Sequence, residues 1–360
     1  MTASATEREV ASTMVAAVFQ GDGHLSIIEQ PVPSIAPADV LIEVEACGVC
    51  GTDIHILEVP PAHPAFPGVI MGHEFVGIVR AVGPDAIGVE IGQRVAVAAN
   101  LSCGSCPSCK RGNPNHCEHF TTMGIFRDGG LARFVAAPAS ACHVVSKDIP
   151  REIAALTEPL SCVVNGVEQA HLLPGEAVAV IGAGPVGLLF LSLFRAAGAG
   201  LVVVVEPTEL RRDAAKRMGA DVCLDPSQGD PARAVRDVTS GAGADVVVDA
   251  VGDQLSQALS AVRVGGRVLL FGMDSRAWPS IHQYDITRNE LTVVGAYVGS
   301  NVFPKAARIL ASGLVDFSPM ISHRVSLREL PSALDAIREG RAVKVVVDLM
   351  ADRDPAHVGP

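Results

Sequence analysis

The sequence has a deficit of positive charge. Its 360 residues include 28 lysines and arginines against 39 aspartates and glutamates, so the formal net charge at pH 7 is -11. An acidic surface repels nucleic-acid phosphates and anionic membranes, which excludes both as expected partners and favours a small-molecule ligand. Charged residues make up only 19% of the chain and hydrophobic residues 49%, a balance that excludes a disordered protein. At this length we expect two globular domains.

The N-terminus also lacks a targeting signal. The first ten residues, MTASATEREV, are polar and contain two glutamates, whereas a secretory signal has a basic start and an apolar core. The uncharged stretch 177–194 could be read as a membrane span, but its central glycines and proline favour a buried strand, a turn and a helix. The sequence has no repeat of fixed period and no low-complexity tract. We therefore expect a cytoplasmic protein.

Cysteine, by contrast, is concentrated in one short segment, CGSCPSCKRGNPNHC, which holds four of the nine cysteines. An odd total in a chain without a secretory signal argues against a framework of disulfides. The spacing C-x2-C-x2-C-x7-C lets Cys103, Cys106, Cys109 and Cys117 converge on one ion, because two intervening residues form a tight knuckle. Four thiolates with no open position predict a closed zinc site that braces a loop. The alternative, four free surface thiols, would be an oxidation hazard.

Donors for a second metal site are scattered over the first half of the chain. Cys50 lies just before Thr52 and His55 in CGVCGTDIH, and His73 is next to Glu74 in MGHE. Sulfur, nitrogen and oxygen donors suit a catalytic zinc, which keeps one position free for water or substrate. Each residue alone has an ordinary structural explanation, so the prediction depends on their joint occurrence.

A glycine-rich motif follows an apolar run in the middle of the chain. Residues 178–187 read VAVIGAGPVG, with Gly182, Gly184 and Gly187 in the spacing G-x-G-x-x-G, and the helix-like LLFLSLFRAAGA comes next. This strand-turn-helix context predicts a dinucleotide-binding turn. The first glycine permits the sharp turn, the second lets the backbone approach the pyrophosphate, and the third lets the helix pack closely on the strand.

The next apolar run, LVVVVE, ends at Glu206. An acidic side chain about twenty residues beyond the glycines can bind both ribose hydroxyls and repels a 2'-phosphate, so it favours NAD. Arg211 and Arg212 follow closely and could be phosphate ligands. Their spacing also fits an exposed helix face, which is the preferred interpretation because of the glutamate.

Apolar runs and helix-like segments continue to alternate beyond this point. The runs ADVVVDAVG, GRVLLFGM and ELTVVGAY are typical of buried parallel strands, so the pattern predicts a doubly wound α/β domain over about 165–299. The preceding segments contain short alternating runs and turns rich in glycine and proline. They predict an irregular, mostly β domain.

Together these motifs resemble those of the zinc-containing medium-chain dehydrogenases/reductases of the alcohol dehydrogenase superfamily. The likeness covers nearly the whole chain and includes, in order, CGVCGTDIH, GHEFVGIV, the four-cysteine segment, TEPLSCVVNG, IGAGPVG and GRAVKVVVDL. It implies a GroES-like catalytic domain formed by both ends of the chain, roughly 1–164 and 300–360, with a structural zinc lobe at about 100–118. A Rossmann NAD-binding domain, 165–299, is inserted between them. The active site is implied in the cleft where the two domains meet.

The resemblance also assigns roles to individual residues. Cys50, His73 and Glu74 match the catalytic zinc ligands of the sorbitol and polyol dehydrogenase branch, and Glu158 matches an acidic ligand that can replace or alternate with a metal-bound water. Alcohol dehydrogenases have a cysteine at that last position, so simple primary alcohols are disfavoured as substrates. Glu74 or Glu158 could instead lie outside the metal's ligand shell, and Glu158 could simply begin a helix before Pro159.

Thr52 and His55 match the hydroxyl and histidine of the family's proton relay, although both could be structural. The resemblance implies a pocket around Ile56, Phe126, Arg288 and residues 297–303. The positions that it implies at the cofactor are Gly182, Gly184, Pro185, Val186, Gly187, Glu206, Arg211, Val251, Phe271, Tyr297 and Lys344.

These expectations predict an enzyme with one catalytic and one structural Zn²⁺ that oxidises a secondary alcohol of a polyol to the ketone, with hydride transfer to NAD. The alternatives are a cyclitol or aminocyclitol dehydrogenase and a threonine or vicinal-diol dehydrogenase. A non-catalytic nucleotide-binding protein would have no need of the metal site and the relay together, and a zinc-free quinone reductase would need neither cysteine set. The resemblance further implies a homotetramer or a homodimer.

Overall fold

Two sheets of different construction organise the chain in the computed structural model, which describes residues 12–351. Within that range the strands are β1 Thr13–Gly21, β2 His24–Pro31, β3 Asp39–Gly48, β4 Glu74–Val82, β5 Arg94–Val97, β6 Asn100–Leu101, β7 Thr121–Thr122, β8 Phe134–Pro138, β9 Cys142–Val144, β10 Ala177–Ile181, β11 Leu201–Val205, β12 Val222–Leu224, β13 Ala244–Asp249, β14 Val262–Leu270, β15 Thr292–Gly295, β16 Ile321–Val325 and β17 Lys344–Asp348. The α-helices are α1 Gly51–Ile56, α2 Pro107–Lys110, α3 Arg151–Ala154, α4 Thr157–Ala170, α5 Pro185–Ala196, α6 Glu209–Arg217, α7 Pro231–Val238, α8 Leu255–Ala261, α9 Gln283–Arg288, α10 Phe303–Ser312 and α11 Leu330–Arg338.

The first sheet is parallel, with six strands in the order β12-β11-β10-β13-β14-β15. The strand order runs outward in both directions from β10, which is the doubly wound arrangement predicted from the apolar runs. Side chains alternate across a strand, and here they separate into two cores. Val178 and Val180 pack in the cluster that contains α4 and α5, whereas Ala179 and Ile181 pack in the cluster that contains residues of α7 and α8. The predicted α/β fold class is therefore confirmed.

The register of this sheet determines where a ligand can bind. Ile181 at the end of β10 pairs with Val205 of β11 and with Asp249 of β13, so three strands end at the same edge. The Gly182 turn and Glu206 follow directly at that edge. Ligands of open α/β sheets bind outside the carboxyl ends of the strands, where the strand order reverses.

The second sheet is built from both ends of the described chain. Its seven strands follow the order β16-β17-β3-β4-β5-β9, with β8 also paired to β3. Val346 and Val347 of β17 pair antiparallel with Gly48 and Cys47 of β3. The C-terminal strands therefore complete the sheet begun near residue 39, as the GroES-like resemblance implies.

Helix α4 connects the two halves of the molecule, one built on the parallel sheet and the other on the second sheet. Its Leu160 and Val163 pack in one hydrophobic cluster with Val76 of β4, Ala96 of β5 and Phe190 of α5. The domain boundary expected between residues 164 and 165 falls inside this helix, because Thr157–Ala170 is continuous. One rigid helix thus spans the junction between the two sheets.

The uncharged stretch 177–194 forms β10, a glycine turn and part of α5, as predicted. No helix within residues 12–351 is long and apolar enough to cross a membrane.

Candidate active site and metal centres

Strand register brings three metal-ligand types together in the catalytic half. Gly48 at the end of β3 pairs with Glu74 at the start of β4, and the chain turns at Cys50 into α1. One ligand atom from each of Cys50, His73 and Glu74 lies within 4.8 Å of the others. A Cβ at position 48 would lie 2.1 Å from Glu74 Oε2, so any larger residue there would displace the Glu74 carboxylate. The donors predicted from CGVCGTDIH and MGHE therefore form one cluster.

Buried polar atoms around this cluster indicate that the site suits a cation. His73 Nδ1 and Asp53 Oδ1 lie 3.7 Å apart, and within the described residues neither atom has a hydrogen-bond partner. Burial by itself lowers the pKa of His73, but the negative charges of Cys50 and Asp53 raise it well above its usual value. A metal-binding histidine commonly presents its other ring nitrogen to a carboxylate, which fixes its tautomer. Cys50, His73 and Glu74 with Asp53 behind the histidine thus fit a zinc ion.

Lys344 lies next to Glu74 at the cluster of metal-ligand residues. Its side chain is only 1% exposed, and its ammonium forms an ion pair with Glu74 and donates a 2.9 Å hydrogen bond to the Val49 carbonyl. The resemblance implied that Lys344 lies at the cofactor, which stays a prediction; in the structure its contacts are with Glu74 of the cluster and with Val49. The reason is the pairing of β17 with β3, which brings Lys344 into the buried space beside Glu74.

Glu158 is not part of the three-residue cluster, although the resemblance implied a metal ligand there. It lies buried in the first turn of α4, where Cys162 Sγ lies 3.6 Å from its Oε1. Burial raises its pKa to about 7, and the charge of His73 opposes that shift. The carboxyl group therefore faces the metal cluster from α4 without joining it.

The two relay candidates lie on α1. Thr52 Oγ1 is 3.7 Å from Cys50 Sγ, and His55 Nδ1 is 3.0 Å from Glu58 Oε1. The His55 side chain is 42% exposed, so one end of this path reaches solvent. Glu58 also forms a 3.3 Å ion pair with Arg276, which belongs to the loop after β14 in the other half of the molecule.

The four-cysteine segment forms a second cluster. One sulfur from each of Cys103, Cys106, Cys109 and Cys117 lies within 4.8 Å of the others. Backbone N–H groups point at these sulfurs: Cys106 N is 3.3 Å from Cys103 Sγ, and His119 N is 3.2 Å from Cys117 Sγ. Hydrogen bonds from Ser105 and Cys106 lower the pKa of Cys103 to about 5. This donor set fits a closed zinc site with four thiolates.

At the edge of the parallel sheet, two positions require glycine, one because of its backbone conformation and the other because of close packing. Gly182 has φ +95°, a conformation that other residues rarely adopt. A Cβ on Gly187 would lie 1.9 Å from the Gly182 carbonyl oxygen, so α5 can begin this close to β10 only with glycine there. Gly184 precedes α5 as its N-cap residue, and Pro185 and Val186 form the first helical positions. The N-terminus of α5 therefore faces the space where a pyrophosphate would bind.

Glu206 is buried and holds this turn. Its Oε2 accepts a 2.8 Å hydrogen bond from Ala183 N, and its Oε1 accepts one of 2.9 Å from Thr208 N. Arg212 donates to the Glu206 carbonyl and pairs with Asp225. Arg211 Nε is buried and has no hydrogen-bond partner within residues 12–351. The two arginines thus differ: Arg212 is already paired, and Arg211 is not.

Three other positions expected at the cofactor occupy different surroundings. Val251 lies against the turn, since a Cβ on Gly182 would come within 2.8 Å of its Cγ2. Phe271 packs edge-on against Phe190, with 4.9 Å between the ring centroids. Tyr297 has its ring near His116, at a centroid distance of 6.0 Å. Only Val251 of these three touches the glycine-rich turn in the contacts described.

A cleft of about 790 Å³ lies between Glu158 and the four-cysteine segment. The predicted pocket segment contributes Gly299 and residues 301–303 to its lining. Three other residues expected in the pocket are not among those that line this cleft, and their role stays a prediction. Ile56 is fully buried in the core, Phe126 packs on Phe66 at 5.2 Å, and Arg288 ends the peripheral helix α9, so none of them lines the cleft.

Two carboxylates that organise the site were given no role from the sequence, although Asp53 lies in the CGVCGTDIH motif. Asp53 accepts a 2.9 Å hydrogen bond from Cys50 N and faces His73. Asp249 at the end of β13 accepts hydrogen bonds from Val251 N, Gly252 N and Gln254 N, all within 2.9 Å, and so orders the loop beside the glycine turn. The signal for Asp53 was present in its position three residues after Cys50, where a helix-capping side chain is expected.

Comparison with known proteins gives the family. Residues 36–147 match the alcohol dehydrogenase GroES-like domain, and residues 185–312 match the zinc-binding dehydrogenase family. The chain is 37% identical over 332 residues to L-threonine 3-dehydrogenase of Pyrococcus furiosus, covering 89% of this chain and 94% of that protein. It is 31% identical over 341 residues to sorbitol dehydrogenase of Bacillus subtilis, covering 91% and 94%.

Among solved structures, a zinc-binding dehydrogenase from Sinorhizobium meliloti 1021 bound to NADP matches with a TM-score of 0.88 at 34% identity, covering 94% of this chain and 100% of that chain. The chain belongs to the family of zinc-dependent medium-chain alcohol dehydrogenases, as the resemblance of its motifs implied.

Proposed function

We propose that this protein oxidises a secondary alcohol that carries a neighbouring polar group, with NAD as hydride acceptor, and that a sugar alcohol is its substrate. The observation that carries the proposal is the buried cluster of Cys50, His73 and Glu74 beside a nucleotide-type glycine turn in one chain. Mixed sulfur, nitrogen and oxygen donors with an open position are those of a catalytic zinc. The four cysteines are proposed to hold a second zinc that has no role in the chemistry.

The residues of the site have separable tasks. When bound, zinc supplies a Lewis acid that lowers the pKa of a substrate hydroxyl. Cys50, His73 and Glu74 hold the ion, and Asp53 keeps the imidazole of His73 in one orientation. Lys344 compensates the charge of Glu74, which is otherwise buried.

A proton path leads from the buried cluster to solvent. Thr52, beside Cys50, is the hydroxyl at the inner end, and the half-exposed His55 is the base at the outer end. Glu58 holds Nδ1 of His55, which leaves Nε2 free to accept the proton. Glu158, buried in the first turn of α4, is proposed to contact the substrate as a hydrogen-bonding group.

The carboxylate of Glu206 supports NAD over its phosphorylated form. It is buried at the end of β11, where the ribose of a dinucleotide lies, and a 2'-phosphate would be brought close to a negative charge. The unpaired Arg211 is the one feature that favours NADP, the cofactor of the Sinorhizobium meliloti structure. We give greater weight to Glu206, because Ala183 and Thr208 fix its charge in place.

The lining of the cleft supports a hydroxyl-rich substrate. It includes Asn100, Ser102, Thr121, Ser140 and Asn301, whose neutral amides and hydroxyls suit the donors and acceptors of a polyol. Sorbitol dehydrogenase is among the relatives, which agrees with this choice.

L-Threonine is the second candidate, favoured by the similarity to threonine dehydrogenases. Its carboxylate would need a cation, and Arg127 lines the same cleft without an ion-pair partner in the described part of the chain. Arg127→Gln therefore separates the candidates. For threonine the KM rises at least tenfold as a charge-assisted contact is lost, roughly the value of such a bond, whereas for a polyol it changes little. Arg111→Gln, an exposed arginine of the four-cysteine segment, is the matched control.

The deciding experiment is an assay of NAD reduction over sugar alcohols, cyclitols, vicinal diols and L-threonine, with and without a chelator. We expect chelator-sensitive oxidation of at least one sugar alcohol. Turnover of threonine alone would replace the polyol assignment by the second candidate. Activity unaffected by complete removal of zinc would refute the proposed chemistry.

A further inference from the structure

The chain crosses between the two halves first in α4 and a second time at residues 297–301. The backbone of this second crossing has an unfavourable conformation. It leads from β15 towards α10, and Val298 and Asn301 have φ values of +42° and +55°. Asparagine tolerates this region, but a β-branched valine does so only where its surroundings impose it. Contacts from outside the segment must therefore stabilise this backbone conformation.

The four-cysteine segment holds it from one side. Asn115 Nδ2 donates a 3.0 Å hydrogen bond to the Tyr297 carbonyl, and Asn301 Nδ2 donates one of 3.1 Å to the Gly112 carbonyl. The Tyr297 and His116 rings stack at an interplanar angle of 25°. These contacts join residues about 180 positions apart, since Asn115 and Tyr297 are separated by 182 residues. We call residues 100–118 the cysteine lobe.

Helix α4 holds the same segment from the other side. Asn165 Nδ2 donates a 2.7 Å hydrogen bond to the Val298 carbonyl. Gly299 approaches so closely that a Cβ there would lie 2.9 Å from Ser161 Oγ. Ser161 is one helical turn from Glu158, and both line the cleft together with Gly299 and Asn301. The segment is therefore a wall of the cleft beside Glu158.

We propose that the cysteine lobe is a positioning element of the active-site cleft, with Asn115 as its positioning residue. By holding the Tyr297 carbonyl, Asn115 keeps residues 297–301 pressed against α4 and so fixes the width of the cleft at Glu158. This inference rests on the proposed function, because it concerns the fit of the secondary alcohol. It gives the lobe a task beyond stability: the lobe sets how well the part of the substrate remote from the metal is bound.

The test uses matched variants of the full-length, zinc-loaded protein. Asn115→Asp keeps the shape of the side chain but replaces its donating NH₂ group by an oxygen that repels the Tyr297 carbonyl. Asn113→Asp adds the same charge to the lobe at an exposed position whose side chain makes no hydrogen bond in the described residues. Asn301→Gly removes the bond to Gly112 while keeping a residue that accepts a positive φ.

The expected result has three parts. In Asn115→Asp the KM for the substrate rises about five- to tenfold, the usual effect of one lost hydrogen bond, while kcat and the KM for NAD stay within about twofold. Backbone amides of residues 297–303 exchange hydrogen faster. The zinc content is unchanged. Asn301→Gly shifts the KM in the same direction, and Asn113→Asp behaves as the unmodified protein.

The inference is overturned if Asn115→Asp and Asn301→Gly both keep the original KM and exchange rates. It is also overturned if the only effect of both variants is a lower melting temperature, since that is what a merely structural lobe would give. If Asn115→Asp loses zinc, the hydrogen-exchange rates of residues 297–303 in Asn301→Gly decide the matter, because Asn301 lies outside the lobe but itself lines the cleft, so its KM alone could reflect a lost substrate contact. Should the protein oxidise no alcohol, the proposed function fails, whereas the exchange measurement still shows whether the lobe holds residues 297–303.

Discussion

The two clusters of candidate metal ligands in this protein are built in opposite ways. The cysteine lobe takes all four sulfurs from residues 103–117, and neighbouring backbone N–H groups already point at them. The catalytic cluster joins Cys50 to His73 and Glu74, and depends on Asp53 and Lys344 behind them. The lobe is local in sequence and lies partly at the surface, whereas most of the catalytic cluster is buried and assembled by strand pairing.

The difference shows what each cluster requires of the fold. Peptide geometry within a few residues presets the lobe, so a metal held there would mainly stabilise one loop. The catalytic cluster needs β17, β3 and β4 in one register before its ligands meet. Of the buried acidic groups there, Glu74 is paired with Lys344, and a metal ion held by the cluster would offset the remaining charge, which makes this the more costly of the two sites.

The largest effect is expected for Cys50→Ser. Loss of the sulfur ligand should lower kcat/KM by more than about a thousandfold, since changes to partners behind a ligand alone cost 10- to 100-fold. NAD binding, measured by calorimetry, should be retained because the glycine turn lies in the other half.

Cys142→Ser is the matched control, as Cys142 is half-buried in β9 and belongs to neither cluster. Retention of full activity in Cys50→Ser would show that the metal assignment is wrong.

Whereas Cys50→Ser is expected to lose activity, Cys103→Ser in the lobe is expected to lose metal and stability. The protein should lose close to one zinc of two, and loss of a few kcal/mol of metal binding should lower the melting temperature by roughly 5 °C or more. Elemental analysis and calorimetry measure both quantities. A variant with unchanged zinc content and melting temperature would contradict a closed four-thiolate site.

Lys344→Met tests the buried charge of the catalytic cluster. Removing one partner of a buried ion pair costs about 3 to 5 kcal/mol, so the free energy of unfolding from urea denaturation should fall by that order. Lys216→Met removes an exposed pair with Asp213 and should leave the free energy of unfolding nearly unchanged, because solvent screens such pairs.

Adding Glu74→Gln to Lys344→Met should recover part of the loss, because the uncompensated carboxylate is then gone. If Lys344→Met and Lys216→Met lower the free energy of unfolding equally, the buried Lys344 pair contributes no more to stability than an exposed pair.

The smallest effect is expected for Asp53→Asn. It keeps the shape behind His73 but weakens the carboxylate contact, so zinc affinity and kcat/KM should fall about 10- to 100-fold. Competition with a fluorescent zinc chelator measures the affinity directly. Asp85→Asn, an exposed change of the same charge, serves as the control. If zinc binds Asp53→Asn as tightly as the unmodified protein, Asp53 does not orient the ligand.

Features set by nearby residues could be predicted from the sequence. The lobe, the glycine turn and the apolar strands of the parallel sheet depend on spacing within about 20 residues, and the structure contains all three. The donors Cys50, His73 and Glu74 were also identified, because their motifs occur in a family order.

Pairings across the fold could not be predicted in this way. Lys344 meets Glu74 only because β17 joins β3, and Asn115 meets Tyr297 across 182 residues. The contact of the Phe126 ring with Phe66 is another that no local pattern encodes. Such contacts follow from the tertiary arrangement of the sheets.

Helix α4 also limits how the two halves of the molecule can move relative to each other. The chain passes between the halves twice, and the first passage is a continuous helix sealed into a hydrophobic cluster with both of them. That passage cannot bend without breaking the cluster. Any change in the angle between the halves at this passage would expose Leu160 and Val163 to water, and the loss of that burial opposes it.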